Sequence, residues 1–138
     1  MGGTLSLLLA AHYAGQYKIA GVAAYGAPIY LKNILLPVLP LARKVMQYKP
    51  PSQSDVADPA ARARQESYDR TPLVCISSLL DLLAHVKNDL QDVNVPVLLI
   101  QSTRDNTVHP ANAHLIHTLL GSSDKTVGET SSGLVGTI

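Results

Sequence analysis

A chain of 138 residues with 46% hydrophobic side chains has the material for one domain-sized core. Its 11 basic residues balance 10 acidic ones, so no charge excess invites nucleic acid or an anionic lipid surface. The single Cys75 excludes an internal disulfide and fits a reducing, cytoplasmic compartment.

No apolar run approaches the length of a membrane span, so no stable membrane anchor is expected. No internal repeat and no metal-ligand cluster is visible, and no cofactor is expected. The five histidines are scattered, and His114 and His117 read as solvated helix residues.

The first element is a helix. Leu5, Leu8 and Leu9 fall at helical spacing, Ala10, Ala11 and Ala14 favour the state, and Gly15 can end it. It has no capping residue and no strand before it. Two short patterns here are set aside. Met1-Gly2 with Ser6 matches a myristoylation pattern too brief to exclude chance. A signal peptide needs basic residues ahead of its apolar run, and the first is Lys18.

Lys18–Ala27 predicts a tightly packed inner strand, with Ile19, Val22 and Tyr25 among small residues. Gly21 and Gly26 permit close backbone approach, and Gly26-Ala27-Pro28 ends it. From Tyr30 to Asn94 the character changes. Leu31, Ile34, Leu35, Val38, Leu39 and Ala42 mark a helical face interrupted by Pro37 and Pro40. Residues 49–54 read as a loop. Asp58-Pro59 starts a mostly polar helix running to about Arg70. Thr71-Pro72 starts another, striped by Leu73, Ile76, Leu79, Leu80, Leu83, Val86 and Leu90. The whole is an insertion longer than a plain crossover, of the kind that forms lids.

The run Val95–Ile100 is continuous rather than alternating, as in a parallel-sheet strand buried on both faces. Gln101–Asn106 then turns polar. Ligands in open parallel sheets sit beyond the carboxyl ends of strands, where Asp105 falls. On the residues alone, Asp105 is either a site carboxylate or simply a turn aspartate. Pro110 suits the first turn of a helix to Leu120, with Gly121 as its stop. In the tail, Thr126 and Val127 can begin a strand, and the rest is rich in Gly, Ser and Thr.

Taken together these pieces resemble a known family. Met1-Gly2-Gly3-Thr4-Leu5-Ser6-Leu7 resembles the back half of a nucleophile elbow, G-x-S-x-G-G before an apolar helix. A strand ending in Gly-Ala-Pro, a helical insertion, and a strand followed by Gln101, Asp105, Val108 and Pro110 come next, in the order of α/β-hydrolases. The best likeness is to bacterial carboxylesterases and monoacylglycerol-lipase-like enzymes, over residues Met1 to about Lys125.

The resemblance implies an α/β fold, the C-terminal part of an α/β-hydrolase. Residues 1–29 and 95–138 would be partial core, and residues 30–94 a helical cap. It implies hydrolysis of carboxylic esters, with an ester or acylglycerol as substrate. Asp105 falls on the triad acid, and Met1 on the residue whose backbone N–H forms half the oxyanion hole. Gly2 and Gly3 fall on the small residues of the elbow. The nucleophile would directly precede Met1, so the chain reads as a C-terminal fragment. Where the family has Ser-Gly-His, this chain has Ser132-Gly133-Leu134, so Leu134 stands in place of the His. His109 follows Asp105 too closely to be assigned as the base. The chain alone is therefore expected to be inactive. Self-association through an exposed sheet edge is expected. Two other readings stay open: a non-catalytic interaction or decoy protein, and a haloalkane dehalogenase or epoxide hydrolase relative.

Overall fold

A computed structural model of the chain describes residues 1–31, 48–49, 71–105 and 107–131. The chain forms two compact units, one of residues 1–31 with 82–138 and one of residues 32–81.

The first unit opens with α1 (Gly2–Tyr13), whose leucines and alanines carry high helix propensity. Met1 stands at its N-cap without a side-chain cap, and the helix ends two residues before Gly15. Thr4, Leu7 and Ala10 form its buried face. Gly3 lets the helix lie directly on the next strand: a Cβ there would come 3.1 Å from that of Ala27 and 3.2 Å from that of Ala24.

The strand is β1 (Val22–Tyr25), shorter than the sequence predicts. Residues 18–21 lie outside the ladder, and Tyr25 is 47% exposed. β1 is an edge strand, in line with the exposed sheet edge expected from the resemblance rather than with the inner position its small residues suggest. Among the described residues the sheet has three strands, with β4 (Val97–Ser102) between β1 and β5 (Lys125–Thr130). β4 pairs in parallel with β1, Val22 opposite Val97 and Tyr25 opposite Ile100. β5 pairs in parallel on the other side, Val97 opposite Lys125 and Ser102 opposite Thr130.

Between β4 and β5 runs α3 (Ala111–Leu119), with Pro110 at its N-cap, so the proline stands just ahead of the first turn. Gly121 is required for space rather than for an unusual φ. Its N–H donates to the Leu90 carbonyl at 3.2 Å, and a Cβ would collide with the Gln91 carbonyl oxygen. β5 carries on through Gly128, Glu129 and Thr130, beyond the two residues that the sequence suggested.

The core lies on one face of this sheet. Leu7 and Ala10 of α1, Ala24, Val97 and Leu99 of the sheet, and Ile116 and Leu120 of the α3 segment form one buried cluster. Val86, Leu90 and Val93 complete it, from the end of α2 (Leu73–Asp89) and the 3-10 turn Leu90–Asp92. His12 of α1 meets Asp89 of α2 at 2.8 Å. The expectation that β4 is buried on both faces is not met. Leu99 is 1% exposed and Leu98 is 41% exposed, because the helices of this unit lie on one side.

In the second unit, β2 (Tyr48–Lys49) pairs antiparallel with β3 (Thr71–Pro72). Thr71-Pro72, expected to open a helix, instead closes this ladder, and α2 begins at the next residue. Ile76, Leu79 and Leu80 of the predicted stripe are half-buried. The helical face from Ile34 to Ala42 and the helix from Asp58 to Arg70 lie outside the described residues.

Candidate active site

The segment leaving β1, Gly26 to Tyr30, is approached by two of the singled-out residues, Gly3 and Asp105; a Cβ on Gly2 would meet nothing within 4 Å, and Met1 is the exposed N-cap of α1. Gly26 still belongs to the sheet through its N–H, which donates to the Ile100 carbonyl at 2.9 Å. Its φ of +54° turns the chain away from the sheet, a conformation glycine adopts without steric cost. Each residue after it is held from outside. Ala27 receives Gly3 of α1. The Pro28 carbonyl accepts the Thr4 hydroxyl at 2.8 Å in a buried bond. The N–H groups of Ile29 and Tyr30 both donate to the Asn112 side-chain oxygen, at 2.8 and 3.0 Å.

Asp105 comes to the same place from the carboxyl end of β4. Its Oδ1 accepts the N–H of Thr107 at 2.9 Å and of Val108 at 2.8 Å. Its Oδ2 accepts the Gln101 amide at 3.3 Å and lies 3.7 Å from where a Gly26 Cβ would stand. Three of a carboxylate's roughly four acceptor positions are thus met by donors of the described residues. The Thr107 bond is the one an Asx turn makes, so Asp105 builds its own turn. The turn reading and the site reading describe one geometry.

The polar stretch was expected to begin at Gln101, but Gln101 and Ser102 remain in β4 and are buried. The Gln101 Nε2 also donates to the Val108 carbonyl at 3.1 Å, tying both ends of the acid loop together. Asn106 lies outside the described residues, as does Leu134.

The Nδ1 of His109 is engaged elsewhere than at Asp105. It lies 3.2 Å from the Ala111 N–H, a group that can only donate. Nδ1 must therefore be the acceptor, and a ring held so has no Nδ1–H to offer a carboxylate. The Tyr30 hydroxyl lies 3.3 Å from the same nitrogen. His114 is exposed and pairs with Glu129 at 2.9 Å. Among the described residues no three His, Cys, Asp or Glu side chains gather as a metal site would need. A shallow groove of about 420 Å³, lined by Gly21, Pro96, Leu98, Asp124 and Thr126, lies at the amino ends of the strands, opposite Asp105.

The family model described as "Serine aminopeptidase, S33" matches residues 1–133. The chain belongs to this family. It is similar to the thermostable monoacylglycerol lipase of Bacillus sp. (strain H-257), 28% identical over 92% of this chain and 48% of the relative. It is 23% identical to the carboxylesterase of Bacillus subtilis (strain 168), over 91% of this chain and 48% of that one. The chain thus spans about half the length of the curated relatives it matches. Among solved structures, one from work on LipS and LipT, two metagenome-derived lipolytic enzymes, matches with a TM-score of 0.81 and 27% identity. That match covers 95% of this chain and 52% of the other. The Paleococcus ferrophilus monoacylglycerol lipase matches with a TM-score of 0.67 at 22% identity, a likeness of fold. The parallel sheet with its flanking helices is therefore part of an α/β-hydrolase fold.

Asn112 and Gln101 carry much of the geometry; Gln101 is among the residues of the resemblance without a role, and Asn112 is not singled out by the sequence. A signal for each was present. Asn112 shares a helical face with Ile116 and Leu120, where a polar residue demands a partner. Gln101 extends an apolar strand by one residue.

Proposed function

We propose that this chain supplies the acid-bearing half of a serine hydrolase acting on carboxylic esters, with short esters or monoacylglycerols as substrates. The observation that carries this is the meeting at Gly26–Tyr30 of α1's first turn and the Asp105 carboxylate. In this reading Asp105 orients the catalytic histidine and stabilises its charged form while a serine attacks the ester carbonyl. The Met1 backbone N–H, at the start of α1, is half the oxyanion hole, with Gly2 and Gly3 shaping the elbow. Leu134 stands at the sequence position of the histidine. Leucine can neither accept nor deliver a proton, so the base is absent from that position. Residues 30–94 are read as the cap. A cytoplasmic enzyme is the reading that Cys75 favours, and no described helix is long and apolar enough to cross a membrane.

The test joins this chain to an N-terminal half carrying the family's Gly-x-Ser strand, with Leu134→His. Ester turnover should appear, and Asp105→Asn should then remove most of it. The analogous change in a serine protease lowers turnover about ten-thousand-fold. Near-full activity in the Asp105→Asn form would reduce Asp105 to a turn residue. The unmodified chain alone should hydrolyse short activated esters no faster than a blank protein.

A further inference from the structure

We propose that Asn112 is a positioning residue, a clamp that fastens the Asp105 loop to the exit of β1. The clamp rests on geometry; its bearing on catalysis rests on the reading of Asp105 given above.

Two segments leave the sheet side by side. β1 ends at Tyr25, with a last bond from Gly26 to Ile100, and β4 ends at Ser102. Beyond Gly26, and beyond Thr103, whose N–H donates to the Thr130 carbonyl at 2.9 Å, neither segment is held by the ladder. Asn112, in the first turn of α3 and fully buried, refastens them. Its Oδ1 takes the two N–H groups of Ile29 and Tyr30, and its Nδ2 donates to the His109 carbonyl at 3.0 Å. A closed circuit results: Ile100 along the chain to Asp105 and His109, across Asn112 to Ile29, back to Gly26, and across to Ile100. Asp105 Oδ2, 3.7 Å from where a Gly26 Cβ would stand, lies inside this circuit. Fixing both ends of the circuit fixes that approach.

The residue type follows from the partners. Two donors on one side and one acceptor on the other require a side chain that accepts and donates at short reach. Aspartate accepts only, leucine does neither, and serine is too short to span both. The amide orientation is set as well, since a flipped amide would face N–H against N–H. The Tyr30–His109 contact is a second tie across the same gap. It is exposed and long at 3.3 Å, so it cannot replace a buried one.

Amide hydrogen exchange on the whole chain tests this. In Asn112→Ala, the Ile29 and Tyr30 amides should exchange at least about tenfold faster, and those of Thr107 and Val108 should follow by a similar factor, while Leu99 stays protected. The last pair is decisive: it bonds Asp105, not Asn112. Asn112→Asp keeps the acceptor and loses the donor, so it should restore Ile29 and Tyr30 but not Thr107 and Val108. Unchanged exchange at Thr107 and Val108 in Asn112→Ala would overturn the clamp. Should that variant unfold, urea-dependent exchange of the native chain decides instead. The four amides should share one denaturant slope, and separate slopes would overturn it. Loss of turnover in Asp105→Asn reports on the acid alone, so the two ideas fail separately.

Discussion

Ala23 and Ala24 are neighbours on β1, as Leu98 and Leu99 are on β4, yet each pair lives in two environments. Ala24 and Leu99 are about 1% exposed beneath α1, the end of α2 and α3. Ala23 and Leu98 are exposed on the other face, with Tyr25 beside them. All-parallel sheets in soluble proteins carry cover on both faces. Among the described residues this sheet has it on one. An apolar strand sequence thus marks apolar character on both faces without saying which face a neighbour covers.

Paired substitutions across β4 break the comparison most sharply. Leu99→Ala should lower stability by about 2–5 kcal/mol, the usual loss for a buried leucine. Leu98→Ala should cost under about 1 kcal/mol, since Leu98 is already partly hydrated. Chemical denaturation of the two variants checks this, and equal losses would mean that the outer face is packed in solution. A smaller effect, about 1–3 kcal/mol, is expected for Gly121→Ala, where a methyl group enters the closed contact with Gln91 on the covered side. Thr4→Val should cost about 1 kcal/mol, because the buried Pro28 carbonyl loses its donor. A shift in thermal midpoint reads both. The smallest expected effect is that of Tyr25→Lys on the outer face. Its effect should appear as less self-association in sedimentation, because a charge beside an edge strand discourages pairing between chains. Unchanged association would place that contact elsewhere.

The run from Val97 to Ile100 made the strand legible, but not which face was covered, because continuity marks apolar character and not the presence of a neighbour. The order of elements was legible from Gly-Ala-Pro and from Asp105 with Pro110. The edge position of β1 was legible only through the resemblance, since small residues suit an inner strand and an exposed one alike. At the candidate site Asp105 stood out, with Gln101 beside it in the resemblance, while Asn112 did not. The importance of Asn112 lies in partners far away in sequence, Ile29 and Tyr30, and no local pattern announces such a bond. Lys125–Thr130 was half legible because Gly128 and Glu129 argue against a strand until Ile100 and Gln101 are found opposite.

The pairing of Val22 with Val97 has a kinetic side. Everything between them, including all of residues 32–81, must be looped out before the first rung can form. Closure entropy grows only logarithmically with length, so doubling the intervening segment would cost only about 0.6 kcal/mol. The sheet therefore tolerates insertions of very different size at this point with little change in equilibrium stability. What such an insertion alters is time: non-local parallel pairing is slow, and until β1 finds β4 the chain carries β1 unpaired and one edge of β4 open. Its vulnerability is greatest while it is being made.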